Sequence, residues 1–441
     1  HDMTGNPFDK FRTFLFARML GLERHEFFAV AWSCAYFFCV LSSYYMLRPV
    51  REAMAVGSGA DTIPYLFMGT FAVMLIATPI FGWIASRFPR RVFLPWIYLF
   101  FVSNILIFWA IFSRLIGDGQ EHVWLGRAFF VWISVFVLFV VSVFWSFMAD
   151  IYTREQGRRL FGVIAAGGSV GALLGGAVTS LLVVSIGFHN LFPIAAMLLL
   201  FAIVCIRQLR IWVAHEHEGE VIETADSETP LGGNPFSGIA DVFSSKYFAA
   251  IAVCSVIASL LGTALYMFTA QLVEQYISGA NERTLFFSNI NLATNAIALF
   301  GQMFAVKHVV SRFGIGVSLS LLPIASIAGF ALLAIDPVLG VVALLTIARR
   351  ALGFSFGKPT TDMLYSVVTP EEKYKTKNFI DTAVYRFGDV IGTWTVKLMG
   401  LGIGGASIVM LPFGVIWAMV ALWLGRDYRR RAKQLRDSGV A

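Results

Sequence analysis

The sequence predicts an all-α membrane protein of twelve transmembrane helices, arranged as two six-helix, pseudo-symmetric bundles. Three observations carry this expectation. Hydrophobic residues make up 58% of the 441 residues and charged residues 14%, against about 25% charged in soluble domains. The apolar runs reach the roughly 20 residues that a bilayer core demands of a helix and are continuous, whereas membrane barrels read as alternating segments of about ten. The only long polar stretch, His215 to Gly238, divides these runs six and six.

In order, the expected spans are 27–47, 63–86, 92–116, 124–148, 160–185 and 189–212, then 247–268, 285–306, 315–335, 337–357, 379–402 and 405–424. They define an N-terminal segment (1–26), a first bundle (27–212), a linker (213–246), a second bundle (247–424) and a tail (425–441). The linker carries Glu216, Glu218, Glu220, Glu223, Asp226 and Glu228 and reads as a flexible acidic connection. Basic residues crowd alternate loops, as at Arg87, Arg90 and Arg91, at Arg154, Arg158 and Arg159, and at Lys358, Lys373, Lys375 and Lys377. The tail adds Arg426, Arg429, Arg430, Arg431, Lys433 and Arg436, while Gly117 to His122 and Gly402 to Ser407 have little positive charge. By the positive-inside rule both termini and the linker lie in the cytoplasm, in a bacterial inner (plasma) membrane. The net charge of +7 is then a topology signal, and its dispersal over loops argues against a nucleic-acid partner.

Several features exclude other classes. Cys34, Cys39, Cys205 and Cys254 all lie in apolar runs and read as buried thiols, not a disulfide or metal set. No histidine pair has metal-ligand spacing within a span, and no nucleophile–base set is present, so neither an enzyme nor a bound metal or cofactor is expected. Span 5 holds Gly167-Gly168-Ser169-Val170-Gly171 and Gly175-Gly176. A phosphate-cradling loop needs a preceding strand and a following Gly-Lys-Ser/Thr; lacking both, these glycines read as close helix packing.

Charge inside the spans points to a solute pathway. Tyr44, Arg48 and Arg51, at the end of span 1, fall within an arc of about 60° at 100° per residue. A guanidinium near hydrocarbon costs roughly 2.5–3.5 kcal/mol on insertion scales, so such residues face water, a partner or an anionic ligand. In span 11, Thr382, Arg386, Asp389, Thr393 and Lys397 share about 80°. Arg386 and Asp389 can pair at i, i+3, which leaves two readings open: an internal salt bridge, or a substrate or proton-coupling site centred on Asp389. Span 10 carries Arg349 and Arg350 about 100° apart, so one is expected to face a cavity. Span 8 aligns Ser288, Asn291, Asn295 and Gln302 within about 60°, for interhelical hydrogen bonds or ligand contact.

Two six-span halves joined by a central loop describe the major facilitator superfamily, and Gly82-Trp83-Ile84-Ala85-Ser86-Arg87-Phe88-Pro89-Arg90-Arg91 resembles that superfamily's loop motif G-x-L-A-D-R-x-G-R-K. Ser86 replaces its Asp and Pro89 its second Gly. The matching place after span 8 keeps Ser311-Arg312-Phe313-Gly314. Within that clan, Tyr44-Tyr45-Met46-Leu47-Arg48-Pro49-Val50-Arg51-Glu52 resembles the first span of the ATP/ADP translocases, the nucleotide transporters of plastids and intracellular bacteria. There the pattern is Tyr-x-x-Leu/Ile-Arg-Asp-x-Lys-Asp, and Arg51 falls on its functional Lys. Thr369 to Asp381 is similar to the family's K-x-K-x-K-x-x-I-D stretch, and Asp150 to Gly162 to its loop between spans 4 and 5. The departures are informative. Leu265, Phe268 and Thr269 stand where the family has Glu, Trp and Lys, and Asp389 stands for a functional Lys.

The resemblance therefore implies a divergent relative with a different, anionic substrate. The residues expected to bind it are Tyr44, Arg48, Arg51, Asn291, Asn295, Arg349, Arg350, Arg386 and Lys397, with Asp389 as proton-coupling group or ion-pair partner. Expected partners are a small anionic solute or a lipid-like substrate, and membrane lipids. The resulting expectation is secondary active transport of a small anionic or phosphorylated solute by alternating access. The alternative is proton-coupled transport of amphipathic substrates such as a lipid or drug, to which the 42 phenylalanines are suited. A non-transporting receptor or scaffold would need its intramembrane charges paired off.

Overall fold

A computed structural model describes residues 26–87, 90–118, 122–216, 242–243, 245–368, 376–377 and 379–437. The centre of the loop motif after span 2, most of the acidic linker and most of the lysine-rich stretch ahead of span 11 lie outside these residues. Thirteen α-helices and no strand occur among the described residues. They are α1 (Phe27–Gly57), α2 (Ile63–Arg87), α3 (Arg90–Gly117), α4 (Val123–Ile151), α5 (Arg154–Ile186) and α6 (Leu191–Glu216). There follow α7 (Lys246–Tyr276), α8 (Ala280–Phe300), α9 (Val306–Ile335), α10 (Leu339–Leu352), α11 (Lys358–Leu364), α12 (Tyr385–Met399) and α13 (Ile403–Asp437). Three five-residue π-helical segments, Gly301–Ala305, Gly353–Gly357 and Ile380–Val384, adjoin α8, α10 and α12.

Ten helical stretches among the described residues are long and apolar enough to cross a membrane. The two expected spans that fall short are 8 and 11. Both are helical, as α8 and as α12 with its π segment, but asparagine and charge lower the hydropathy of one, and α12 is only 15 residues long. The expected twelve therefore fit, and the two weakest together hold five of the ten candidate site residues, Asn291, Asn295, Arg386, Asp389 and Lys397. A second difference lies ahead of span 9. The segment read as a loop is helical up to Gly314, whose φ of +79° breaks α9; that left-handed region favours a residue without Cβ.

The chain divides into two compact units, neither of them one continuous stretch. The first comprises His1–Arg48, Gly82–Gln120 and Phe136–Leu231; the second comprises Pro49–Phe81, Glu121–Val135 and Gly232–Ala441. The first unit has an aromatic core. Tyr36 donates to the hydroxyl of Tyr98 at 2.6 Å, and Phe37 stacks on Phe144 with centroids 4.2 Å apart. Its α5 starts in a capping box: Thr153 and Gln156 satisfy each other's backbone N–H groups. Buried Glu26 then accepts from Gln156 and Arg159, the latter at 2.6 Å. In the second unit the core runs along α7, through Leu260, Leu261, Ala264 and Phe268, and takes in Phe330 of α9 and Trp417 of α13.

Candidate functional site

Glycine spacing on α12 creates the site in the second unit. A methyl group at Gly388 would lie 2.8 Å from Cβ of Ser259 and 3.0 Å from the Val256 carbonyl oxygen; at Gly392 it would lie 2.9 Å from Cα of Leu260. Only glycine lets α12 approach α7 this closely. Asp389, one position beyond Gly388, is thereby buried against α7. One of its carboxylate oxygens accepts from the Ser259 hydroxyl, a group also within 2.9 Å of the Tyr385 carbonyl oxygen. The other oxygen accepts from Nη1 of Arg386 at 3.3 Å. Half-burial of Arg386 and full burial of Asp389 make this pair stronger than a surface salt bridge.

A cleft opens beside this pair. It is small, with room for about one water molecule, and is lined by Arg51, Phe67, Thr70, Phe71, Phe130, Ser134, Arg386 and Asp389. The Arg51 guanidinium lies 4.4 Å from the centroid of the Phe130 ring, a cation–π contact. Its Nε is 4.0 Å from a carboxylate oxygen of Glu52. The buried Thr70 hydroxyl has no hydrogen-bond partner among the described residues. Its place in the lining leaves it available to a guest, and a buried hydroxyl without a partner is costly otherwise.

Three of the residues expected from the sequence, Arg51, Arg386 and Asp389, thus share one cleft. Arg349 is close by. One of its Nη atoms donates to the Ala258 carbonyl, and the group sits where a methyl on Gly262 would be 2.8 Å from Nη1. Arg349 lies within electrostatic reach of Tyr385 and Asp389, and Arg350 within reach of Tyr385. Four guanidinium groups and two carboxylates, Asp389 and Glu52, therefore occupy this neighbourhood.

Other candidates lie elsewhere. Lys397 donates from Nζ to the carbonyl oxygen of Asp61, in the turn after α1, at 2.9 Å and sits 4.2 Å from the ring centroid of Tyr65 on α2. Tyr44 and Arg48 belong to the first unit, where the guanidinium lies 5.9 Å from the Tyr44 ring and 5.6 Å from that of Tyr45. Asn291 and Asn295 on α8 do not line the cleft. Both amide atoms of buried Asn291, the hydroxyl of Thr294 and Nδ2 of Asn295 have no hydrogen-bond partner among the described residues. Gln302 falls in the π segment Gly301–Ala305 beyond α8, so the expected alignment with Asn295 does not carry to it; it makes an interhelical bond instead, donating to the Phe354 carbonyl at 2.9 Å. Thr382 falls in the π segment Ile380–Val384, so counting 100° per residue does not carry from it to Arg386.

Six contributors escaped the sequence reading: Phe67, Thr70, Phe71, Phe130, Ser134 and Ser259. Each stands in a continuous apolar run, where no periodicity marks one face. The glycine pair Gly388 and Gly392, four apart on a polar span, was the available signal for Ser259.

Ten long apolar helical stretches with charged side chains packed among them describe a multi-pass membrane protein. Residues 33–393 match the Major Facilitator Superfamily model, and the chain belongs to that family. Over 148 residues it is 24% identical to ADP,ATP carrier protein 2 of Chlamydia pneumoniae. That match covers 32% of this chain and 25% of the relative, so the chain spans about a quarter of the length of the curated relative it matches. Among solved structures, a mutant of the nucleoside transporter NupG aligns with a TM-score of 0.62 at 15% identity, over 90% of this chain and 99% of that one. A bacterial homologue of the iron transporter ferroportin, in an inward-facing state, also reaches 0.62 at 12% identity, over 92% and 98%. A bacterial homologue of the lysosomal transporter Spinster reaches 0.54 at 15% identity, over 93% and 99%. These likenesses establish the fold.

Proposed function

We propose that this protein moves a small anionic or phosphorylated solute across a bacterial inner membrane by alternating access, as two six-helix halves with both termini in the cytoplasm. One observation carries the reading: the cleft pairs Arg51 and Arg386 with a single lining carboxylate, Asp389. Guanidinium groups suit bidentate recognition of phosphate or carboxylate, and the four in this neighbourhood outnumber its two carboxylates, Asp389 and Glu52, a net positive charge that favours water or an anion. The Thr70 hydroxyl supplies a further donor. Arg349, Arg350 and the polar stripe of Asn291 and Asn295 are proposed as outer parts of the same pathway.

The aromatic walls support a second reading, transport of an amphipathic substrate driven by protons through Asp389. Phe67, Phe71 and Phe130 line the same cleft as the charges, and such rings would take a planar or apolar part of a solute. The relatives named for nucleosides and for ADP and ATP are consistent with a solute having both an anionic and a planar part. Full nucleotide exchange is disfavoured. Leu265 and Thr269 stand where the translocases carry charge, and both are buried here, the Thr269 hydroxyl bonding the Leu265 carbonyl at 2.7 Å.

Uptake by reconstituted vesicles tests the proposal. Phosphorylated solutes should compete for saturable uptake, whereas vesicles loaded with ADP should accumulate little labelled ATP. Rapid ATP–ADP exchange would refute the argument from lost charge. Uptake that follows an imposed proton gradient and favours uncharged amphiphiles would replace the first reading with the second.

A further inference from the structure

The last helix is longer than a bilayer requires. At about 1.5 Å per residue, the 35 residues of α13 extend roughly 52 Å, against about 30 Å of hydrocarbon. The excess is its charged end. Arg426, Arg429, Arg430, Lys433 and Arg436 are all exposed, and at 100° per residue they fall on one stripe about 120° wide. Arg429 donates from Nε to the Gly425 carbonyl of its own helix at 3.3 Å. Asp437 alone adds a carboxylate to the stripe, at its far end, and no ion pair joins it to Lys433 among the described residues.

Asp427, Tyr428 and Arg431 of this segment turn toward the protein, while Gln434 is exposed. Arg431 pairs with Asp427 at 2.9 Å and lies 4.4 Å from the Tyr247 ring, and the Tyr428 hydroxyl is 3.2 Å from that of Ser366. The helix end is therefore held on one side and offers five cations on the other. A topology signal needs only the number of basic residues near a span, not their alignment. A one-sided stripe that starts three residues after the exposed Trp423 instead fits a surface. Tryptophan favours the headgroup level, which would set Arg426, Arg429 and Arg430 among lipid phosphates.

We propose that the basic stripe at the end of α13 is a binding site for anionic lipid headgroups and anchors this helix to the membrane surface. Clusters of Lys and Arg directly beyond a transmembrane helix attract anionic leaflets, and the attraction falls off within a Debye length. The experiment compares the protein in nanodiscs of phosphatidylcholine alone and of phosphatidylcholine mixed with phosphatidylglycerol. The anionic lipid should raise the unfolding temperature by at least about 2 °C at low salt, and high salt should remove the rise. Replacing the three proximal arginines by glutamine (R426Q, R429Q and R430Q together) should abolish the response, while the matching lysine replacements keep it. If the glutamine variant is already less stable in phosphatidylcholine alone, K433Q with R436Q carries the comparison and should reduce the response. An undiminished response in the glutamine variants overturns the proposal. So does an equal rise from inorganic phosphate in phosphatidylcholine discs, which would make a free anion the ligand.

Discussion

Two glycine seams, one in each unit, use the same device to different ends. In the first unit a methyl on Gly167 would lie 2.8 Å from the Cys34 carbonyl oxygen, on Gly171 2.9 Å from Cα of Phe38, and on Gly175 2.5 Å from the Ser42 carbonyl oxygen. There α1 and α5 meet backbone to backbone, and hydroxyls settle onto carbonyls: Ser42 donates to Gly171 at 2.9 Å and Thr179 to Met46 at 3.3 Å. In the second unit, Gly388 and Gly392 press α12 onto α7, but Asp389 stands between them, with Arg386 a turn before. Close approach of the first kind makes a dry joint. Close approach of the second kind holds a carboxylate and a guanidinium in fixed positions beside a cleft. A glycine run is thus no guide to function; the charge enclosed by the run is.

The sharpest way to break this comparison is to fill a seam. Gly171→Leu forces side-chain atoms into the Phe38 backbone, which cannot yield as a flexible side chain would. It should destabilise the fold by about 3 kcal/mol or more, read as loss of monodisperse protein or a large drop in unfolding temperature. A well-folded variant would refute the dry-joint account. Next in size is Arg51→Ala in the cleft. Substrate binding should fall by about tenfold or more, with only a small change in unfolding temperature. Arg51→Lys should restore part of the binding, because the planar fork is lost but the charge kept. Equal loss of binding and stability would make Arg51 a structural residue instead. The smallest effect is expected outside the seam, at Lys397→Met. This removes one hydrogen bond to the Asp61 carbonyl and two cation–π contacts, with Tyr65 and Trp394, worth together about 1–2 kcal/mol. Substrate affinity should stay unchanged, and a tenfold loss would bring Lys397 back into the binding site.

What could be read in advance follows the same division. Membrane helices are written in composition and run length, so the fold class was legible, and so were the positions of most spans. Arg51, Arg386 and Asp389 were legible because charge inside an apolar run is expensive and must be explained. Lys397 shared their helical stripe on α12 yet reached a different neighbour, since a helix of four turns meets different partners along one face. Phe67, Phe71 and Phe130 were invisible among 42 phenylalanines. Which apolar face fronts a cleft is decided by packing between segments far apart in the chain, and no local period records it.

The π-helical segments bear on how this chain is compared with its relatives. A π turn is what results when one residue is added to an α-helix without disturbing the faces on either side. Gly301–Ala305, Gly353–Gly357 and Ile380–Val384 therefore each hold one more residue than the α-helical turn they replace. A relative lacking the extra residue would align correctly only with a one-residue gap inside a membrane helix, where gaps are usually forbidden. Without that gap, every residue beyond the segment is matched to its neighbour's neighbour, and an arginine that occupies the same place in space is scored as absent.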